Sequence, residues 1–198
     1  MIVGHYAAAL IARPHLPRAP FWLLLLAANL AEFLWLALAL LGIEATEPAS
    51  LFDATFQGLR VEMVYSHNLV SNIVLSLLFG GIVWGVWKDR VLALWCAALC
   101  HLHVWSDYLV GFEHQVLGAH STAIGLNSYE RFPVIAILLE LAFAWLCLAY
   151  YFYSERQKGR PITPRRGVLL LVIFTIGITA WLPNATVSMR EWATRLGF

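Results

Sequence analysis

The sequence predicts an all-α fold: a polytopic membrane helix bundle with about five transmembrane helices and a short N-terminal half-helix, in one membrane-embedded domain over residues 1–198. Three observations predict it. First, 61% of the 198 residues are hydrophobic and only 13% are charged, whereas a water-soluble domain is about half apolar and about a quarter charged. Second, the mean hydropathy is +0.71, so lipid must cover much of the surface. Third, five apolar runs approach or exceed the roughly 20 helical residues that cross a hydrocarbon core of about 30 Å.

Taken in order, the opening segment Met1 to Ala12 is apolar but too short to span, reaching about 18 Å at helical rise. It is expected either as a half-helix entering the membrane from the cytoplasmic side, with Arg13 at the surface, or as an interfacial helix. No cleavable signal is expected, because a basic region and a cleavage site are both missing. The five spans run Phe21 to Ile43, Asn68 to Trp87, Val91 to Phe112, Phe132 to Tyr153 and Gly167 to Leu182. Pro17 and Pro20 precede the first, Pro133 opens the fourth and Pro183 ends the fifth. Gly81 and Gly85 form a small-xxx-small pair that suggests close helix packing on the second span. Cys96, Cys100 and Cys147 fall inside apolar runs and read as packing residues rather than a disulfide framework. Trp and Tyr near the span ends read as interfacial anchors.

Basic residues set the expected orientation. With the N-terminus in the cytoplasm and the C-terminus outside, nine Lys or Arg lie inside: Arg13, Arg18, Lys88, Arg90, Arg156, Lys158, Arg160, Arg165 and Arg166. Four lie outside: Arg60, Arg131, Arg190 and Arg195. This bias favours that orientation, with the loops Glu44 to Ser66 and Glu113 to Arg131 facing outward; the expected location is a bacterial-type inner membrane, crossed several times. The net charge of +1 points to neither nucleic acid nor an acidic substrate. The expected partner at this level is the lipid bilayer.

Ionisable groups inside the hydrocarbon region are costly and are functional candidates by default. Glu32 lies about 18 Å above the cytoplasmic end of its span, and His103 about 19 Å above Arg90. Glu140 descends about 12 Å from the outer face, which is again about 18 Å from the inside. Three groups on three spans therefore share a level. Asp107 stacks one turn above His103 on the same helix face. His67, His114 and His120 are expected to close this layer from the outer side, and His5 from below. Imidazole nitrogen and carboxylate oxygen together suit zinc or a similar divalent metal, whose charge offsets the burial of acids. A proton path or a structural polar network would use the same residues. His101 points to another face than His103 and reads as a supporting residue. His15, beside Arg13 and Pro14, reads as a surface residue. Asn29 shares a face with Glu32 and can serve as its hydrogen-bond partner.

Several of these residues, in this order, resemble a known family. Gly4-His5, the acid Glu32, Tyr65-Ser66-His67, His103 with Asp107, Gly125-Leu126-Asn127 and Glu140 resemble the YdjM-like membrane-bound metal-dependent hydrolases, also described as LexA-binding, inner-membrane-associated hydrolases. That family is distantly similar to the all-helical zinc phospholipase C and P1 nuclease superfamily. The resemblance implies hydrolysis of a phosphoester in a lipid or lipid-linked substrate. This chain departs from the pattern at Glu32, where relatives carry Asp, at Gly111, where they often carry His, and at Asn68, where Ser is common.

The expected metal ligands are His5, Glu32, His67, His103, Asp107 and His114. The expected catalytic carboxylates are Glu140 and Glu32, with Glu140 a ligand, a supporting group or the general base. No Gly-x-Ser-x-Gly motif is present, which favours direct attack by water. Two other classes remain open at this level. One is a small proton-coupled transporter using Glu32, Asp107 and Glu140. The other is a haem-binding subunit with paired axial histidines.

Overall fold

The computed structural model describes every residue except Ile2, Leu51 and Phe198. It is mostly helical, and proline and short polar caps set where its helices begin. The first helix, α1 (Gly4–Ala12), is followed by α2 (Phe21–Ala28), which Pro20 precedes, and α3 (Leu30–Leu40). Next come α4 (Leu69–Trp87) and α5 (Arg90–Val110). The Asn68 side chain accepts the Ser71 backbone N–H at 2.7 Å to cap α4, and Asp89 accepts from Val91 and Leu92 to cap α5. Between them Lys88 adopts a left-handed conformation, so the chain reverses in two residues. The remaining helices are α6 (Ser128–Arg131), α7 (Pro133–Gln157), α8 (Pro164–Thr179) and α9 (Met189–Arg195). Proline occupies the first turn of both α7 and α8, where its missing N–H costs nothing.

Two antiparallel hairpins interrupt the loops. β1 (Thr46–Glu47) pairs with β2 (Arg60–Val61), and β3 (His114–Gln115) pairs with β4 (Ala123–Ile124). The first span, expected as one rod over Phe21 to Ile43, is instead α2 and α3 with a 61° bend between them. Asn29 stands at the break, with φ −124° and ψ 15°, and its amide donates to the Leu25 carbonyl at 2.9 Å. That side-chain bond offers the backbone an alternative to the helical ladder. Asn29 thus turns back along α2 and has no hydrogen bond to Glu32.

Three helices are long and apolar enough to cross a membrane: Leu69–Trp87, Pro133–Gln157 and Pro164–Asn184. The bent α2–α3 pair makes a fourth if it is counted as one span. The 21-residue α5, expected as the third span, is long enough but less apolar, because it carries His101, His103, Ser106 and Asp107. It is the central helix, packed against α1, α2, α3, α4 and α7. At Gly80 of α4 an added Cβ would lie 3.0 Å from the Ala97 Cβ and 3.3 Å from the Ala93 carbonyl oxygen of α5. The close approach is therefore at Gly80. Gly81 and Gly85, the expected pair, have open space around them.

α1 lies inside the bundle rather than on its surface. Gly4, His5, Ala7, Ala8, Ala9, Leu10 and Ala12 are all buried, and of this helix only Tyr6 is exposed. Its small residues let α7, α2 and α5 approach on different sides. A helix lying on the surface of the bundle would leave a whole face uncovered, which α1 does not.

The two ends of α7 define two ends of the molecule. At one end the first long loop meets the C-terminal segment: Phe56 N–H donates to Asn184, Arg190 N–H donates to Phe52, and Asp53 pairs with Arg190. At the other end Lys158 and Arg160 donate to the Pro14 carbonyl at 2.8 and 3.0 Å.

Candidate metal centre

Four side chains from three segments converge on one point. His67, just before α4, directs Nε2 at His103 Nε2 of α5, 3.2 Å away. Glu32 Oε2 of α3 lies 3.3 Å from His67 Nε2. Asp107 Oδ2 lies 3.3 Å from His103 Nε2 and 3.7 Å from His67 Nε2. A tetrahedral ion with bonds of about 2.0–2.1 Å has ligand-to-ligand edges of about 3.3–3.4 Å. The 3.2 and 3.3 Å separations match those edges, while the one between Asp107 and His67 is longer.

The hydrogen bonds around the cluster say which nitrogen carries the proton. His103 Nδ1 lies 2.8 Å from the Ala28 carbonyl oxygen, an acceptor only, so its Nδ1 holds the hydrogen. That carbonyl belongs to the last residue of α2, where the helix end leaves it without an intrahelical partner. His67 Nδ1 lies 2.8 Å from Ser66 Oγ, and Ser66 donates its own hydrogen to Glu44 Oε2 at 2.6 Å. The serine oxygen must then accept from His67 Nδ1. With both rings neutral, the two imidazoles therefore present bare Nε2 lone pairs to each other, with two carboxylate oxygens alongside. Two facing lone pairs repel each other unless a proton or a metal cation lies between them, and this is the arrangement in which supporting partners orient metal-binding histidines.

His5 adds to the same cluster from α1. Its ring stacks on His103 with centroids 3.6 Å apart, and its Nε2 lies 3.1 Å from Asp107 Oδ1. Ser106 donates to the His103 carbonyl at 2.7 Å, so its oxygen is left to accept from His5 Nδ1 at 3.3 Å. The Met1 ammonium also pairs with Asp107 Oδ1. Two groups of three can hold a metal ion: Glu32, His67 and His103, and His5, His103 and Asp107, with ligand atoms within 4.8 Å of one another in each. His103 belongs to both. Among the described residues no Lys or Arg pairs with Glu32 or Asp107. The donor set and its geometry fit a divalent cation.

Glu140 takes a different position. Its Oε1 accepts the backbone N–H groups of Val3 and Gly4, both at 2.7 Å, and its Oε2 accepts the Tyr129 hydroxyl at 2.7 Å. It lies outside both metal-competent groups and holds the N-terminus of α1, where an acid complements exposed N–H groups. Burial, and then the Glu140 charge, raise the Tyr129 pKa well above its ordinary value, so the phenol stays a donor. Gly4 is needed here, because an added Cβ would lie 2.9 Å from Glu140 Cγ.

His114 of β3 is buried against His67, with ring centroids 5.2 Å apart, but joins neither group. Burial, with His67 beside it, lowers its pKa to about 3. The Gly125-Leu126-Asn127 segment fixes this hairpin over the end of α5. Gly125 has φ +123° and packs against the backbone of Phe112 and Glu113, and Leu126 N–H donates to Tyr108. His101 faces away, bonded to Asn72 and Trp105. His120, expected to close the layer, is exposed in the loop with φ 65° and stays outside the cluster. His15 is exposed and meets Tyr150 at 2.8 Å.

Sequence reasoning missed Glu44. It is 1% exposed and accepts from Tyr65 N–H, Ser66 N–H and Ser66 Oγ. An acid directly after an apolar run resembles an ordinary boundary residue, and nothing local pairs it with a serine 22 positions on. The signal was Ser66-His67 itself, since a ligand histidine needs an acceptor for its second nitrogen.

One cavity opens on the cluster, and a second adjoins it through Leu59, Val61, Met63, Phe112 and His114. The first, of about 480 Å³, is apolar, with Trp35, Leu36, Phe52, Phe56, Phe112 and Trp181 among its walls, and Glu32, His67 and Asp107 at its polar spot. The other, of about 510 Å³, is polar and lies under the two hairpins. Comparison with protein families, curated proteins and solved structures finds no match to this chain.

Proposed function

We propose that this protein is a polytopic inner-membrane, metal-dependent hydrolase of the YdjM-like kind, acting on a phosphoester in a lipid or lipid-linked substrate. The single observation that carries the reading is the facing pair of bare Nε2 atoms on His67 and His103, 3.2 Å apart and flanked by Glu32 and Asp107. Zinc suits this nitrogen and oxygen set. A divalent cation bound there would supply Lewis acidity at a phosphoryl oxygen and acidify a water.

The chain's own residues support the rest. Glu32, His67 and His103 are the ligands proposed for one position, and His5, His103 and Asp107 those for a second. Glu32 both touches His67 and lines the apolar cavity, which makes it the carboxylate best suited to take a proton from an attacking water. Glu140 is a positioning residue: it fixes α1 and through α1 the His5 ring. The apolar walls exclude bulk water and suit a hydrocarbon chain. The bundle spans the membrane with α5 as a fifth, polar-cored crossing, the N-terminus in the cytoplasm and both long loops outside.

The haem alternative meets a geometric obstacle. Two axial imidazoles need Nε2 atoms roughly 4 Å apart, twice a metal–nitrogen bond of about 2 Å. His67 and His103 are closer than that, and His5 stacks directly on His103.

The test is metal analysis of detergent-purified protein together with hydrolysis of fluorescent phospholipids before and after chelation. The expected result is stoichiometric divalent metal and activity that chelation removes and zinc restores. Protein without metal, or activity untouched by chelation, overturns the proposal.

A further inference from the structure

The apolar cavity beside the cluster has a mouth, and the mouth is apolar too. Leu36 of α3, Phe52 of the first long loop and Met189 at the start of α9 all line the cavity, and all three are exposed. Exposed apolar residues gathered around one opening mark an interaction surface. Their chain neighbours Asp53 and Arg190 pair with each other at the surface, and Arg190 N–H donates to the Phe52 carbonyl. Charges are costly in hydrocarbon, so this pair sets the rim at the boundary between headgroups and tails. On the other side of the mouth α3 packs on α5 and buries only Ala31, which leaves its outer face bare.

Three features describe what fits inside. Among the described residues no Lys or Arg lines the cavity, and its carboxylates and imidazoles are those of the cluster and of His114 packed on it. The body of the occupant is therefore uncharged, with its polar group at the cluster. All three methionines of the chain, Met1, Met63 and Met189, are among the walls. Methionine is flexible and reshapes around its contacts, which suits an aliphatic chain better than a rigid ring system. A methylene is about the size of a water, whose share of liquid volume is about 30 Å³, so a cavity of about 480 Å³ holds about 16 of them. Two chains of that length need about twice the volume.

We propose that this cavity takes up one hydrocarbon chain sideways from the bilayer, through the mouth formed by Leu36, Phe52 and Met189, so that the substrate is a single-chain amphiphile with its polar group at the cluster and its tail running back toward the mouth. This names a substrate class for the site proposed above. It rests on that reading for the reaction, though not for the uptake. A two-chain lipid is disfavoured because its second chain has no room beside the first, and a water-borne substrate is disfavoured by the apolar rim.

The experiment uses the full chain, in liposomes for entry and in a maltoside detergent for binding. Leu36→Cys and Met189→Cys are made one at a time over the three buried native cysteines. Each should react faster with a maleimide carried on an alkyl chain than with a charged, water-soluble one, and Asp53→Cys should show the reverse order. Binding is read from the rise in unfolding midpoint with lipid mole fraction. The two probes are palmitoyl lysophosphatidylglycerol and dipalmitoyl phosphatidylglycerol, which share a headgroup and differ by one chain. The lysolipid should bind about tenfold more tightly, because the second chain overpacks the cavity. Alkylation of Leu36→Cys should abolish lysolipid binding, whereas the same reaction at Leu40→Cys, exposed on the same helix but away from the cavity, should leave it unchanged. Equal or faster reaction of either mouth cysteine with the water-soluble reagent, equal or tighter binding of the two-chain lipid, or lysolipid binding that survives the block would each overturn the proposal. Metal content and hydrolysis are measured on the same samples. Metal-free, inactive protein that still selects the lysolipid removes the hydrolase reading and leaves this one. Metal-loaded, active protein without chain selectivity does the reverse.

Discussion

Ser66→Ala tests the logic of the cluster without touching a ligand. Ser66 Oγ accepts from His67 Nδ1 at 2.8 Å and donates to Glu44 at 2.6 Å. Its removal leaves His67 Nδ1 without an acceptor and releases the imidazole to rotate or to move its proton to Nε2, where it would block a metal. A hydrogen bond to a charged group contributes about 1.5–3 kcal/mol. Loss of such a supporting partner costs about 10–100-fold in metal affinity, equivalent to about 1.4–2.8 kcal/mol. Ser76→Ala is the control, because Ser76 is also buried in the bundle but donates only to Ile73 of its own helix. The assay is competition for zinc between each variant and a chelator of known affinity, with helical content checked by circular dichroism. The expected order is wild type and Ser76→Ala alike, Ser66→Ala weaker by at least tenfold, and His103→Ala without stoichiometric metal. If folded Ser66→Ala keeps the wild-type affinity, the serine does not set the His67 tautomer and the facing-lone-pair reasoning fails.

Asp107→Asn should also weaken metal binding by about 10–100-fold or more, with His15→Ala unchanged; equal metal content in His103→Ala, Asp107→Asn and His15→Ala would exclude α5 as a ligand helix. Gly4→Ala places a Cβ 2.9 Å from Glu140 Cγ, and such overpacking costs about 1–3 kcal/mol, to be read as a lowered unfolding midpoint; an unchanged midpoint would mean that α1 is not pinned by Glu140. The folded-state pKa of His114, about 3, lies below its ordinary 6.5, so the unfolded chain takes up this proton first. The contribution of neutral His114 to stability is complete above about pH 6.5 and declines as pH falls toward about 3; a His114→Gln variant should show a shallower loss over that window in acid unfolding, and parallel curves would refute the assignment. Single cysteines at Asp53 and Gln115 should react with an impermeant reagent from outside the cell, and labelling only from the cytoplasmic side would overturn the topology. Purified protein should be colourless, and a stoichiometric Soret band lost in His67→Ala would replace the metal reading with haem.

Much of the helical architecture was legible because it depends on local chemistry. Pro20, Pro133 and Asn68 mark helix starts whatever surrounds them, and apolar runs the length of Leu69–Trp87 have few alternatives to a helix. His103 and Asp107 could be paired in advance because helical geometry fixes what lies four residues apart. Helical rise likewise brought Glu32 to the level of His103. The same arithmetic put Glu140 at that level, but depth carries no information about direction around the bundle. Glu140 faces α1 and Tyr129 rather than the cluster.

What the sequence by itself determined is therefore the helical class, most of the helix boundaries and a short roster of polar groups too costly to be idle in an apolar chain. The tertiary structure decided which of them meet. The bend at Asn29 has neither proline nor glycine to announce it, yet it brings Glu32 to His67 and leaves the Ala28 carbonyl for His103. Glu44 reaches Ser66 across 22 residues, and His114 is turned toward both cavities by a two-stranded hairpin. The physical reason is one of range. Caps, prolines and helical periodicity act within a turn or two of chain, whereas proton placement on a buried histidine is fixed by acceptors from distant segments, which only packing brings within 3 Å.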